Sequence, residues 1–304
     1  MSAKLNAFPA SARAMQYCSD AELLLNVSGV NPIRPWFERI PVRIMIDTDP
    51  AFTQIRHRTD AHARARAQMH NGFFTFAESV HQSDCCVPED GFPWRPTRQP
   101  VAIGAWPHAA GQPRNVFTTV MQWDSYPPLE IAGVRYGMKS TSFELIRELP
   151  KLVDEQLEIA LGGANAPRDS LKEIGWKLVD PLAVTHDPWT YQDYVQKSFG
   201  ELSVAKHGYV ASRSGWFSER TACYLAAGRP AVVQDTGFSQ HIPCGLGLIA
   251  FCDRQSAIEG IENATMNYKS HCRAARELAE TYFDSSKVLD ELLESAFSAA
   301  PTEA

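Results

Sequence analysis

Between Ser203 and Phe238 the chain reads SVAKHGYVASRSGWFSERTACYLAAGRPAVVQDTGF, which suggests a strand, a loop, a helix, a turn and a buried strand in succession. The loop gathers groups that suit an anion. Ser214 and Gly215 are expected to open the helix, leaving its first amide N–H groups unpaired and facing whatever lies above the sheet. The partial positive charge of a helix start favours phosphate, and Arg213 and Lys206 add full charges. A plainer reading fits the spacing too: Ser214 is only an N-cap, and Lys206 and Arg213 are solvated. His207, in the same loop, is a candidate acid, base or phosphate contact. Trp216 stands at the helix start, where an aromatic face can stack on a base or sugar ring. In the first half, Ile44 to Phe52 reads IMIDTDPAF, a buried strand running into Asp47 and Asp49. At a strand's carboxyl end, facing a cleft, such a carboxylate can orient or deprotonate a hydroxyl. The Asp-Thr-Asp spacing also admits a metal, and Asp49 suits a turn or helix cap.

The elements that must position these groups alternate. Apolar, β-rich runs at 22–27, 41–46 and 72–76 are separated by a basic, helical stretch at 56–70, and 101–105 is a candidate further strand. Prolines at 93, 96, 100, 107 and 113 mark a semi-rigid linker, which places a boundary near 112. Strands are then expected at 116–122, 156–161, 177–179, 202–205, 231–234 and 248–251. Helices are expected at 142–149, 168–175, 189–197, 217–227, 255–266 and 271–298. Alternation of this kind implies right-handed crossovers and a mostly parallel sheet with helices on both faces. Ligands of such sheets lie beyond the strands' carboxyl ends, here the loops after Gln122, Ala205 and Gln234. Gly228 and Pro230 are explained by helix termination alone.

Composition narrows the class. With 304 residues, 44% hydrophobic and 21% charged, the chain has room for two folded domains. A net charge of −6 gives no reason to expect nucleic acid as a non-specific partner. The seven cysteines are odd in number and lack metal-ligand spacing, so they suggest reduced thiols and a cytoplasmic location. The vicinal pair Cys85-Cys86 is expected to be an ordinary loop feature. Residues 1–20 show no signal-peptide pattern, and no run of about 18 apolar residues marks a transmembrane segment.

The segment from Ser212 to Pro243, with its SRSGWFSE start, LAAGRPAVV end and QDTGFSQHIP loop, resembles the donor half of GT-B glycosyltransferases. The similarity extends over about 113–298, because GLGLIAF and the two helices after it resemble the family's closing elements. The resemblance implies an α/β protein with two Rossmann-like doubly wound domains. These would be an acceptor-side domain and linker at 1–112, a nucleotide-sugar domain at 113–270, and a C-terminal helix and tail at 271–304 returning to the first domain. It also implies sugar transfer from a nucleoside diphosphate sugar, bound as substrate, to an acceptor that the sequence does not name. No separate cofactor or metal is implied. The amides of Ser214 and Gly215 with Arg213 would hold the diphosphate, joined by Lys139 as the family's phosphate-binding lysine. Asp235, Thr236 and Gly237 would line the sugar pocket. The family's ribose-binding glutamate is replaced by Cys223, and Glu219, one turn earlier on the same helix face, is the candidate substitute, though a first-turn carboxylate equally suits the helix dipole.

The first half departs further. It lacks the strand, Gly-rich turn and helix that normally open a GT-B enzyme, and it offers three or four strands where about six are usual. An incomplete N-terminal domain keeps open a second function, a nucleotide-sugar-binding module without turnover. A dinucleotide oxidoreductase is disfavoured, since no strand is followed by G-x-G-x-x-G.

Overall fold

A computed structural model describes residues 9–107 and 112–298. Expectations for residues 1–8, for 108–111 of the linker and for 299–304 lie outside the described residues. After a helix at Pro9–Ser19 come β1 (Leu23–Val27), β2 (Val42–Asp47), β3 (Gly72–Thr75) and the two-residue β4 (Arg95–Pro96). They form one all-parallel sheet in the order β1-β2-β3-β4. Alternate side chains of β2 go to opposite faces, as the two-residue period of a strand requires. Met45 packs with Ala67, Phe73 and Trp94, while Val42, Ile44 and Ile46 pack with Phe74, Leu292 and Ala296.

The later part of the chain carries β5 (Val116–Gln122), a small hairpin of β6 (Leu129–Ile131) and β7 (Val134–Tyr136), then β8 (Gln156–Gly162) and β9 (Lys177–Val179). It closes with β10 (Gly200–Ser203), β11 (Ala231–Gln234) and β12 (Leu248–Phe251). Apart from the hairpin these strands form one parallel sheet in the order β12-β11-β10-β5-β8-β9. The strand order reverses between β5 and β10, so a crevice opens at their carboxyl ends. Clusters around Phe117, Phe143, Trp176 and Ile261, and around Phe217, Leu225, Phe238 and Phe283, supply the apolar core of this part.

Several expected elements differ, each for a local reason. The helical stretch at 56–70 is two helices, Phe52–Thr59 and Ala61–Ala67, because the Asp60 carboxylate accepts from the amides of His62 and Ala63 and restarts the helix. The candidate strand at 101–105 is a single bridge from Val101 to Asp284 followed by a 3-10 turn. The helix expected at 142–149 is a short one at Lys139–Phe143. The long helix expected at 271–298 breaks after Tyr282 and resumes at Ser285, and only the second piece reaches the first sheet. Leu278 and Tyr282 instead pack on the second sheet's core. The β6–β7 hairpin and the helix His207–Ala211 were not expected from the sequence. Gly228 ends its helix at φ 69°, in the left-handed region that glycine adopts without steric cost.

Candidate functional site

Between the carboxyl ends of the two sheets lies a cavity of about 550 Å³, a size suited to a small-molecule ligand. The first sheet contributes Ser28 after β1 and Thr48 and Asp49 after β2; the second contributes Lys139, Lys206 and Arg220.

The helix behind this cavity starts later than expected. It spans Glu219–Ala226 with Ser218 as N-cap, the Ser218 hydroxyl accepting from the Arg220 amide at 3.2 Å. The Glu219 amide has no acceptor among the described residues, so the open helix start faces the cavity here. The amides of Ser214 and Gly215, placed at the helix start from the sequence, are already bonded. Ser214 donates to Tyr209 O at 3.2 Å and Gly215 to Thr236 O at 2.9 Å. Arg213 lies outside the cavity, exposed, with its guanidinium 2.8 Å from Asp84.

Arg220 takes the place expected for Arg213. Its side chain is 12% exposed and donates to the buried Glu201 carboxylate at 2.5 Å, to Val120 O at 2.7 Å and to the Ser203 hydroxyl. Its remaining N–H groups are left for the cavity it lines. No local signal marked it: Glu201 precedes the strand expected at 202–205, and only the observed strand, buried throughout, sets its carboxylate beside Arg220. Lys139 lines the cavity beside it without an ion pair among the described residues. Burial, reinforced by the charge of Arg220, pushes the Lys139 ammonium down to about 7.

Lys206 is differently placed. Its ammonium is 2.8 Å from Asp49 and 2.9 Å from the Tyr126 hydroxyl, and it lies 5.1, 4.6 and 5.4 Å from the ring centres of Phe52, Tyr126 and Tyr209. Asp49 accepts from Lys206, from Tyr126 at 2.5 Å and from Tyr209, which joins the two halves beneath the cavity. Asp47 is sealed away, accepting from Gln54 at 3.0 Å, Thr75 at 2.9 Å and the Asp49 amide at 2.9 Å, and burial raises its pKa. The two aspartates therefore face different partners and do not converge on a common ligand.

The other expected residues scatter around this centre. Trp216 lines the cavity with its ring 4.4 Å from that of Tyr209, and its indole N–H is buried without an acceptor among the described residues. Glu219 is exposed at the cavity edge. His207 turns to the hairpin, its Nδ1 accepting from the Gly137 amide at 3.4 Å, and burial lowers its pKa. Asp235 holds its own turn through the Gly237 amide at 2.9 Å and the Ser239 hydroxyl at 2.6 Å. The Thr236 hydroxyl donates to Trp216 O at 2.5 Å, and none of the Asp235–Gly237 turn lines the main cavity. Cys223 is half-buried, its thiol pushed up to about 12 by burial and then by Glu219.

Comparison with protein-family models gives no match, and comparison with curated protein sequences gives none either. Solved structures do match. The Anabaena protein Alr3699/HepE in complex with UDP and glucose aligns with TM-score 0.58 at 10% identity, over 94% of this chain and 80% of that one. An alpha-glucosyltransferase in complex with UDP-glucose and DNA containing an abasic site aligns with TM-score 0.60 at 13% identity, over 94% and 83%. The pneumococcal O-GlcNAc transferase GtfA in complex with UDP and GlcNAc aligns with TM-score 0.52 at 11% identity, over 96% and 60%. The chain has the α/β fold of these GT-B glycosyltransferases. Among the described residues no helix is long and apolar enough to cross a membrane.

Proposed function

We propose that the chain transfers a sugar from a nucleoside diphosphate sugar to an acceptor held on the N-terminal half. The observation that carries this reading is Lys139: a lysine that forms no ion pair among the described residues, next to Arg220 and an open helix start, in a cavity at the strand-order reversal. A diphosphate there meets Lys139, Arg220 and the Glu219 amide. As the glycosidic bond breaks, those groups take up the charge that develops on the leaving oxygen, which is where preorganised donors accelerate transfer. Glu219, at the cavity edge, is the acceptor available for a ribose hydroxyl, in place of the glutamate that Cys223 replaces.

Asp49 serves as a positioning residue, since its carboxylate is committed to Lys206, Tyr126 and Tyr209. That commitment favours a second reading, nucleotide-sugar binding without turnover, because Asp49 is the carboxylate with which the N-terminal half lines the cavity.

Thermal-shift titration with UDP, GDP, ADP and dTDP tests the site, because a ligand bound only by the native state raises the melting temperature. Affinity should also depend on pH with a defined sign. An anion stabilises charged Lys139, so binding is tightest below about pH 7 and weakens up to about tenfold per unit above it. No shift with any of the four would sink both readings. Release of free sugar from the matching donor would separate transferase from binding module.

A further inference from the structure

Ser28 lines not only the main cavity but also a narrow recess of about 30 Å³ between the first sheet and the helices Phe52–Thr59 and Ala61–Ala67. His57, only 4% exposed, is one wall of it, and its Nδ1 lies 2.7 Å from an oxygen of Asp90. A carboxylate accepts, so Nδ1 carries the proton and that ring edge is committed to Asp90. The other edge, Nε2, meets no partner among the described residues, and Asp90 does not line the recess. Arg56 and Arg66, one from each helix, also line it, and neither forms an ion pair among the described residues. His70, opposite, is saturated: Nδ1 donates to Ala67 O at 3.1 Å and Nε2 accepts from Asn26 at 3.0 Å. Burial lowers its pKa. No acidic residue is among the lining.

We propose that this recess binds the terminal phosphoryl group of a phosphate monoester. Two guanidinium groups without carboxylate partners, a hydroxyl and a buried imidazole edge form a set suited to a dianion, and guanidinium matches phosphate geometry in particular. Two guanidinium charges balance the dianion of a phosphate monoester, whereas a phosphodiester carries a single charge, so the recess favours a terminal phosphate. The His57 ring, fixed through Nδ1 by Asp90, stands in the wall of the recess and reports on what binds there. Because Ser28 places the recess beside the main cavity, the bound molecule is a phosphorylated acceptor; this last step rests on the transfer reading, whereas the anion site does not.

The test uses the full chain carrying Lys139→Met, so that phosphate binding in the main cavity is weakened, and it reads the recess locally. Inorganic phosphate is titrated while the His57 imidazole is followed by NMR. The expected result is a saturable displacement of the His57 signals at phosphate concentrations up to about 10 mM, with affinity reduced about tenfold or more in Arg56→Ala/Arg66→Ala. Glucose 6-phosphate should reproduce the displacement and a single-stranded oligonucleotide should not compete. Unmoved His57 signals, equal affinity in the double variant, or equal competition by the oligonucleotide would each overturn the proposal. Both exchanged arginines are exposed, so the double variant should fold, and its UDP response, measured with Lys139 intact, reads the donor site separately.

Discussion

Asp49 and Lys139 line one cavity from opposite halves of the molecule, and they differ in what they already hold. Asp49 accepts from three donors, while Lys139 has no ionic partner among the described residues. Hydrogen-bonding capacity committed within the protein is not available to a substrate, whereas a desolvated, unpaired ammonium destabilises the protein until an anion reaches it. The first residue builds the cleft and the second waits for a ligand, although both are charged side chains at the carboxyl end of a sheet.

Exchanging the unpaired group should have the largest effect. Lys139→Met should weaken nucleoside diphosphate binding about 10- to 150-fold, the value of a charged hydrogen bond, as read by calorimetric titration. The same variant should melt higher than the parent without ligand at pH 7 to 8. Lysine has an ordinary pKa of about 10.4 when unfolded, so the unfolded chain binds the proton more tightly than the native one between about pH 7 and 10.4. The parent's stability therefore rises with pH across that window, and the advantage of the variant should vanish near its upper end. A lower melting temperature for Lys139→Met would make Lys139 structural and erase the contrast with Asp49.

Asp49→Asn should act the opposite way, leaving Lys206 among three aromatic rings without its carboxylate. A loss of about 1–3 kcal/mol, or roughly 2–6 °C in melting temperature, is expected, with nucleotide affinity nearly unchanged. The smallest effect belongs to Arg213→Ala, whose exposed pair with Asp84 is worth about 0–1 kcal/mol and whose loss should shift nucleotide affinity by no more than about twofold. A large loss there would return the anion site to the loop where the sequence first put it.

The strands of the second sheet were legible because each is a short apolar run between strong punctuation; 177–179, 231–234 and 248–251 coincide with the observed strands. The start of the central helix was not. Ser214 and Ser218 both suit an N-cap, and the choice is made by contacts no local rule contains. Gly215 is held at φ 72° against Ser79, where an added Cβ would lie 2.7 Å from the Ser79 amide nitrogen, and the Ser79 amide donates to Ser214 O at 3.0 Å. That four-residue displacement explains why Arg213 stays outside the cavity and why Arg220 was overlooked. Asp47 and Asp49 were correctly placed at a strand end, but alternation along the strand could not tell which was sealed beneath Thr75 and Gln54. The basic run at 56–70 was visible in the sequence, but neither its periodicity nor the net charge could tell that Arg56 and Arg66, from two separate helices, would line one recess.

The bridge between Val101 and Asp284 bears on how the two halves are held. The chain leaves the first sheet after Pro96 and returns to it at Ser285, and at this one place Val101 N donates to Phe283 O at 2.7 Å and Ser285 N to Val101 O at 2.9 Å. Outgoing and returning segments are thus fastened into a two-ply joint. With the Asp49 network beneath the cavity and the Ser79 amide bonded to Ser214 O, this joint makes the two halves share hydrogen bonds at several separated places, so the cleft walls are held in register from more than one side.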